Sequence, residues 1–203
     1  MIELPVGDCR VCILPVVNGI LSEAAKVEAA YGGFEAYGVS LGIEGIQAIK
    51  NRVQLQDDFE VSELDIAYAQ RMEQLTGEQV EIPSPAMCVL VDLCSKEGKN
   101  AIALDMNDAD FTEMYCDTVK AWDFVKEHRL AKKGMKHRFK STDPASFAVE
   151  WDSFIHEVKG YRQVSEKREA YIADQIRDVA RYKRSLLAVI EVERAENIAR
   201  LLR

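Results

Sequence analysis

Val11-Cys12-Ile13-Leu14-Pro15-Val16-Val17, bounded by Asp8 on one side and Asn18-Gly19 on the other, is the stretch that decides the fold. An unbroken apolar run closed by turn residues reads as a buried strand. Behind it, Ser22 to Tyr31 carries apolar residues at helical spacing, and Gly32-Gly33 stops that helix. The same unit then repeats. Phe34 to Leu41 reads as a second, shorter strand. Gly42 and Gly45 flank Glu44 at the opening of a helix expected from Ile43 to about Gln56, and Asp57-Asp58 break the pattern.

Working outward, Ser62 and Asp65 are candidate N-caps for a helix ending near Gly77. Pro83-Ser84-Pro85 opens a helix from Ala86 to Lys96, which Gly98 closes. Ala101 to Leu104 is a third strand, followed by Asp105-Met106-Asn107-Asp108-Ala109-Asp110. Beyond Phe111 the pattern is almost wholly helical. One long helix is expected from Thr112 to Leu130 or beyond, a second from the Ser141-Thr142-Asp143-Pro144 cap to about Lys159, and a third from Val164 to Tyr182. Leu186 to Val192 is a fourth strand, and Ala195 to Leu202 a short closing helix.

Strands that alternate with helices pair in parallel, because the crossover is itself a helix. All four runs are apolar rather than alternating, as in a sheet covered on both faces. The expected fold is therefore α/β, a three-layer sandwich with a small, mainly parallel sheet. A large helical insertion, about 106–184, precedes the last strand. The 203 residues suit one domain, 1–203, at about 100–200 residues per domain.

Composition narrows the class. Hydrophobic residues make up 48% and charged residues 30%, which argues against disorder. The net charge of -8 disfavours nucleic-acid binding over most of the surface. Residues 1–8 carry neither a basic region nor a long apolar core, so they do not read as a signal peptide. No run approaches the ~18 apolar residues of a membrane span. A cytoplasmic protein without a membrane partner is expected; self-association is compatible with this class but nothing in the sequence fixes it. Five cysteines, Cys9, Cys12, Cys88, Cys94 and Cys116, read as reduced thiols, most of them buried. The Cys9-x-x-Cys12 pair lies on a strand with no second pair behind it, unlike a zinc site or a redox motif opening a helix.

Ligands of a parallel sheet bind beyond the carboxyl ends of its strands. Here those ends are Asn18-Gly19, Ser40-Leu41-Gly42-Ile43-Glu44, Asp105-Met106-Asn107-Asp108 and Glu191-Val192-Glu193-Arg194. They form either a shared polar pocket or merely the strand ends that reach water. The three histidines, His128, His137 and His156, all fall in the helical insertion, so a zinc site at the strand ends lacks imidazole ligands. A site built from Asp105, Asp108, Glu191 and Glu193 would instead suit Mg²⁺ or Mn²⁺. The plainer reading makes these solvated acids or partners of Arg168 and Arg194. From His128 to Lys140 the chain has no acid and many bases, near Trp122, Phe124 and Phe139. That stretch is a solvated basic helix face, or a surface for nucleic acid or an acidic partner.

The layout resembles the TraB/PrgY branch of the superfamily that includes GumN and the Tiki proteins. Val11 to Asn18 is similar to that family's first strand, Ser22-Glu23 to the start of its next helix, and Tyr37 to Leu41 to a later strand. Arg168-Glu169-Ala170-Tyr171-Ile172-Ala173 resembles an Arg-Asp/Asn motif followed by an aromatic residue and Met-Ala. Leu187 to Arg194 resembles the final strand. The resemblance implies a strand-end site, and some relatives are metal-dependent proteases. Yet Asn18 and Pro15 replace the first histidine and its glycine, Leu41 replaces the glutamate, and Arg194 and Glu191 replace the second histidine and glycine. Only Arg168 carries over.

Three readings follow. In the first, a non-hydrolytic TraB/PrgY-like protein, a pseudoenzyme without cofactor, binds a small anionic ligand or a protein partner at the strand ends. Arg168 and Arg194 supply fixed positive charge there, and Asn18, Ser40, Glu44, Asp105, Asn107, Glu191 and Glu193 complete the site. It predicts that Arg168→Ala folds normally and loses binding. In the second, a hydrolase uses Mg²⁺ or Mn²⁺ on the remodelled carboxylates. In the third, the basic helix 128–140 binds nucleic acid or a partner. The sequence leaves open whether any reaction is catalysed.

Overall fold

The computed structural model describes residues 1–52, 62–134 and 137–203. Among them, β1 (Ile2–Val6), β2 (Cys9–Val16), β3 (Ala36–Val39), β4 (Ile102–Ala103) and β5 (Ser185–Glu191) form one sheet. The strand order is β1-β2-β5-β3-β4. β2, β5, β3 and β4 run parallel, and β1 is added antiparallel at the edge. The helices are α1 (Glu23–Ala30), α2 (Ile43–Lys50), α3 (Glu63–Thr76), α4 (Pro85–Lys96), α5 (Asp108–Thr118), α6 (Ala121–Gly134), α7 (Pro144–Ile155), α8 (Lys159–Ala180) and α9 (Val192–Leu202).

The chain is thus α/β with a mostly parallel sheet, and α5 to α8 all lie between β4 and β5. The central strand β5 explains its own composition. Leu186, Ala188 and Ile190 join a core with α8 and α9, whereas Leu187 and Val189 join a second core with α1, α2 and α4. A strand buried on both faces has no position for a polar side chain until its end. Each large side chain buried there contributes about 1.5–3 kcal/mol before entropy is counted. Cys9 and Cys12 fall into opposite cores, so they cannot pair with each other. A third cluster gathers α3, α6 and α7 around Phe147, Trp151 and Phe154.

Local signals locate several boundaries. Ser62 and Asp65 form a reciprocal capping box at the start of α3, and Gly77 ends it in a left-handed conformation at φ 72°. Two expectations need correction. Ile2–Val6 is a strand, joined to β2 by a turn through Gly7 at φ 57° and Asp8. A Gly-Asp pair between β-rich runs is itself a hairpin signal. The long helix expected from Thr112 is two helices, broken where Val119 turns extended and Lys120 N–H donates to Asp123 Oδ2 at 3.1 Å. Both α5 and α6 pack against α8, which one straight helix could not achieve there. Gly160 of α8 makes room at the break: a Cβ there would lie 2.6 Å from Asp123 Oδ2.

The helix after the Asp143 cap ends at Ile155, and α8 begins at Lys159, earlier than expected. The helix expected from Ile43 to about Gln56 ends at Lys50 instead, where Asn51 N–H donates back to Gln47 O as its C-cap; the Asp57-Asp58 break lies outside the described residues. No described helix is long and apolar enough to cross a membrane.

Candidate functional site

Parallel register carries the strand ends to one edge of the sheet. Val16 lies opposite Glu191, Ser40 N–H donates to Val189 O at 3.1 Å, and Asp105 N–H donates to Leu41 O at 3.2 Å. Two separate structures grow from that edge.

The first is a cavity of about 470 Å³. Asn18, Leu41 and Glu191 supply its strand-end wall. Gly45, Ala48 and Ile49 of α2, Tyr68 and Ala69 of α3, and the Val80-to-Ser84 segment close it. That segment is clamped to the end of β2. Glu81 N–H donates to Gly19 O at 2.8 Å, and Gly19 N–H to Ser84 Oγ at 3.4 Å. Gly19 sits at φ 80°, and a Cβ on it would run into Val80 Cγ1. Here glycine serves both a left-handed turn and a close approach.

Most of the cavity wall is apolar. Its charged residues are Asp65, Glu81 and Glu191; among the described residues no Lys, Arg or His lines it. Glu191 ends the central strand, is 7% exposed, and leads directly into α9. Ser40 Oγ donates to Glu191 Oε2 at 2.5 Å, which holds the carboxylate in place. The position before the first turn of α9 also favours negative charge. Tyr68 stacks on Phe147 at 5.7 Å.

The second structure is a buried ion pair. Arg168 Nε donates to Asp105 Oδ2 at 2.8 Å, and Nη2 donates to the same oxygen. The Asp105 carboxylate is 4% exposed, and Arg168 lies over the Phe111 ring at 5.6 Å. Burial opposes the charge on Arg168, but Asp105 outweighs it and holds the guanidinium pKa above its ordinary value. Arg168 is therefore spent on joining α8 to the end of β4. The expectation that Arg168→Ala folds normally does not fit this arrangement.

The remaining expected site residues have duties of their own. Asn107 caps α5 by accepting from Asp110 N–H at 2.8 Å, and Glu44 accepts from Asp108 N–H at 3.2 Å. Arg194 donates to Ser165 Oγ at 2.8 Å. Glu193 Oε2 is buried with no partner among the described residues. Burial, then the Glu191 charge, pushes its carboxyl up to about 7. Of the nine expected site residues, Asn18 and Glu191 line the cavity and Ser40 supports Glu191 from behind. Among the described residues, no three His, Cys, Asp or Glu side chains are grouped to hold a metal, so Asp105, Asp108, Glu191 and Glu193 do not come together as a set.

The sequence reading missed Ala48, Tyr68, Ala69, Val80 and Ile82. They come from elements with no strand-end signal; Gly19 was the one local clue. The basic stretch is not one helix. α6 ends at Gly134, 137–140 have no regular structure, and Met135 and Lys136 lie outside the described residues. His128 sits 3.5 Å from Glu63, and Lys133 pairs with Glu157 at 2.9 Å. Comparison with protein-family models, with curated proteins and with solved structures finds no match to this chain.

Proposed function

We propose that this chain is a non-hydrolytic binding protein of TraB/PrgY-like, three-layer layout. It takes a small, largely apolar molecule bearing a positive charge in the strand-end cavity. The observation that carries this reading is the cavity wall, which combines apolar side chains with the carboxylates of Asp65, Glu81 and Glu191 and no base among the described residues. An anion, the ligand expected from the sequence, would meet like charge there. Its two intended cations stand elsewhere, Arg168 on Asp105 and Arg194 on Ser165.

A volume of about 470 Å³ falls within the range of small-molecule sites, which pair an apolar lining with a few fixed polar groups. Glu191 would receive the ammonium, already oriented by Ser40. Tyr68, which also lines the cavity, would add a cation–π contact to the same charge. Val80, Ile82 and Met87 would cover the apolar part. The pre-set carboxylate lowers the ordering cost of binding.

The test uses three isosteric probes, hexylamine, 1-hexanol and hexanoate, read by thermal unfolding and calorimetry. Hexylamine should raise the midpoint most and hexanoate not at all. Ala69→Leu, which fills the cavity without altering charge, should abolish the hexylamine effect. Hexanoate binding as well as hexylamine would overturn the proposal.

A further inference from the structure

α3 separates two cavities of opposite character. Asp65, Tyr68 and Ala69 face the strand-end cavity. Ala67, Gln70, Arg71 and Gln74, at i, i+3, i+4 and i+7, line a second one of about 340 Å³. At 100° per residue these two sets occupy opposite faces of one helix. Gly134, His137, Arg138 and Phe139, from the end of α6 and the segment beyond it, complete the second cavity.

Its lining is the reverse of the first. Two guanidinium groups and one imidazole face it with two amides, and no described acid lines it, in a chain of net charge -8. Glu150, outside the lining, has its carboxyl held below the ordinary value by hydrogen bonds from Ser141 and Lys140, with a smaller contribution from His137. The Glu150 carboxylate already accepts from Lys140 N–H at 3.1 Å, Ser141 N–H at 2.9 Å and Ser141 Oγ at 2.5 Å. Among the described residues, Arg71 makes one side-chain hydrogen bond, Nη1 donating to Gln74 Oε1 at 3.1 Å, and its buried Nε has no partner. A guanidinium carries five donors in a fork that matches a phosphate oxygen pair, so most of this group's capacity is unspent. The floor is firm: Phe139 packs edge-on against Phe147 at 5.2 Å and lies 5.4 Å from Trp151.

We propose that the cavity between Arg71 and Arg138 binds the phosphate group of a small, free phosphate-bearing molecule, at a site distinct from the strand-end cavity. Its volume, several times that of a phosphate group, admits a phosphate together with the body of a small molecule. That favours a discrete small molecule over a nucleic-acid backbone, which needs a long basic track and a surface not dominated by acid.

The experiment titrates the full chain with inorganic phosphate and pyrophosphate by calorimetry, in wild type, Arg71→Gln, Arg138→Ala, Arg129→Ala and Lys132→Ala. Arg129 and Lys132 belong to the same basic stretch, are exposed, and lie outside the cavity. Pyrophosphate should bind more tightly than phosphate, and each cavity variant should weaken it about tenfold, the usual loss for one charged hydrogen-bonded contact. The two outside variants should leave it unchanged. Arg138 is exposed, so Arg138→Ala reports on binding even where Arg71→Gln disturbs α3. Equal losses in all four variants would mean diffuse charge and overturn the assignment, as would no binding of either probe. Retention on vesicles of phosphatidylcholine with phosphatidate, without pyrophosphate binding in solution, would also overturn it.

Discussion

Replacing Glu193 by glutamine should leave stability unchanged near pH 4 and raise it by about 3 kcal/mol near pH 8. Glu193 lies in the first turn of α9 with Oε2 buried and unpartnered among the described residues. Burial, reinforced by Glu191 and only partly offset by Arg194, raises its pKa from 4.5 to about 7. At 1.36 kcal/mol per tenfold change, that rise corresponds to about 3 kcal/mol of differential cost for the charged form. The folded protein therefore binds the Glu193 proton more tightly than the unfolded chain does. The stability this provides is fully present below pH 4.5 and is lost as pH rises through about 7. Glutamine cannot ionise and so escapes the loss. Urea unfolding of wild type and Glu193→Gln from pH 4 to pH 8 measures the difference directly. In thermal unfolding of a domain of this size the same gain appears as a midpoint rise of about 6–12 °C at pH 8. A gap that stays constant across the range would refute the account, because a packing effect does not titrate.

Other substitutions probe the remaining contacts. Arg168→Ala strands the buried Asp105 carboxylate and should cost about 3–5 kcal/mol in urea unfolding, whereas Arg168→Met with Asp105→Leu should cost less than the single change. Gly42→Ala would drive a Cβ into the Met106 carbonyl oxygen, a backbone atom, and should destabilise by about 1–3 kcal/mol in the same assay. Millimolar Mg²⁺ or Mn²⁺ should leave the unfolding midpoint in place, since no three described metal-ligating side chains are grouped. A metal-dependent rise of more than about 2 °C would bring the hydrolase reading forward.

Much of the fold was legible because its signals are local. The Leu186-to-Ile190 run has no polar residue because both its faces are covered, and that alone places it centrally in a parallel sheet. Ser62 with Asp65, and Gly77 at φ 72°, mark the ends of α3 through contacts within four residues. The hairpin strand Ile2–Val6 is legible too, from Gly7-Asp8 between two β-rich runs. The break at Val119 was not readable: it depends on α8 coming close enough that only Gly160 fits.

Even within α3 the division is clear. Asp65, Tyr68 and Ala69 share one face and Ala67, Gln70, Arg71 and Gln74 the other, as helical spacing alone determines. What each face looks onto was decided by tertiary structure. Arg168 and Asp105 are 63 residues apart, and no periodicity announces that one would neutralise the other. Ser40 and Glu191, 151 residues apart, meet only because β3 and β5 are neighbours in register. Most elements follow from local sequence, since hydrogen bonding and side-chain period act over a few residues, while the break between α5 and α6 does not. Tertiary structure alone decided which charges remain unpaired and face a cavity, since those depend on distances between segments far apart in the chain.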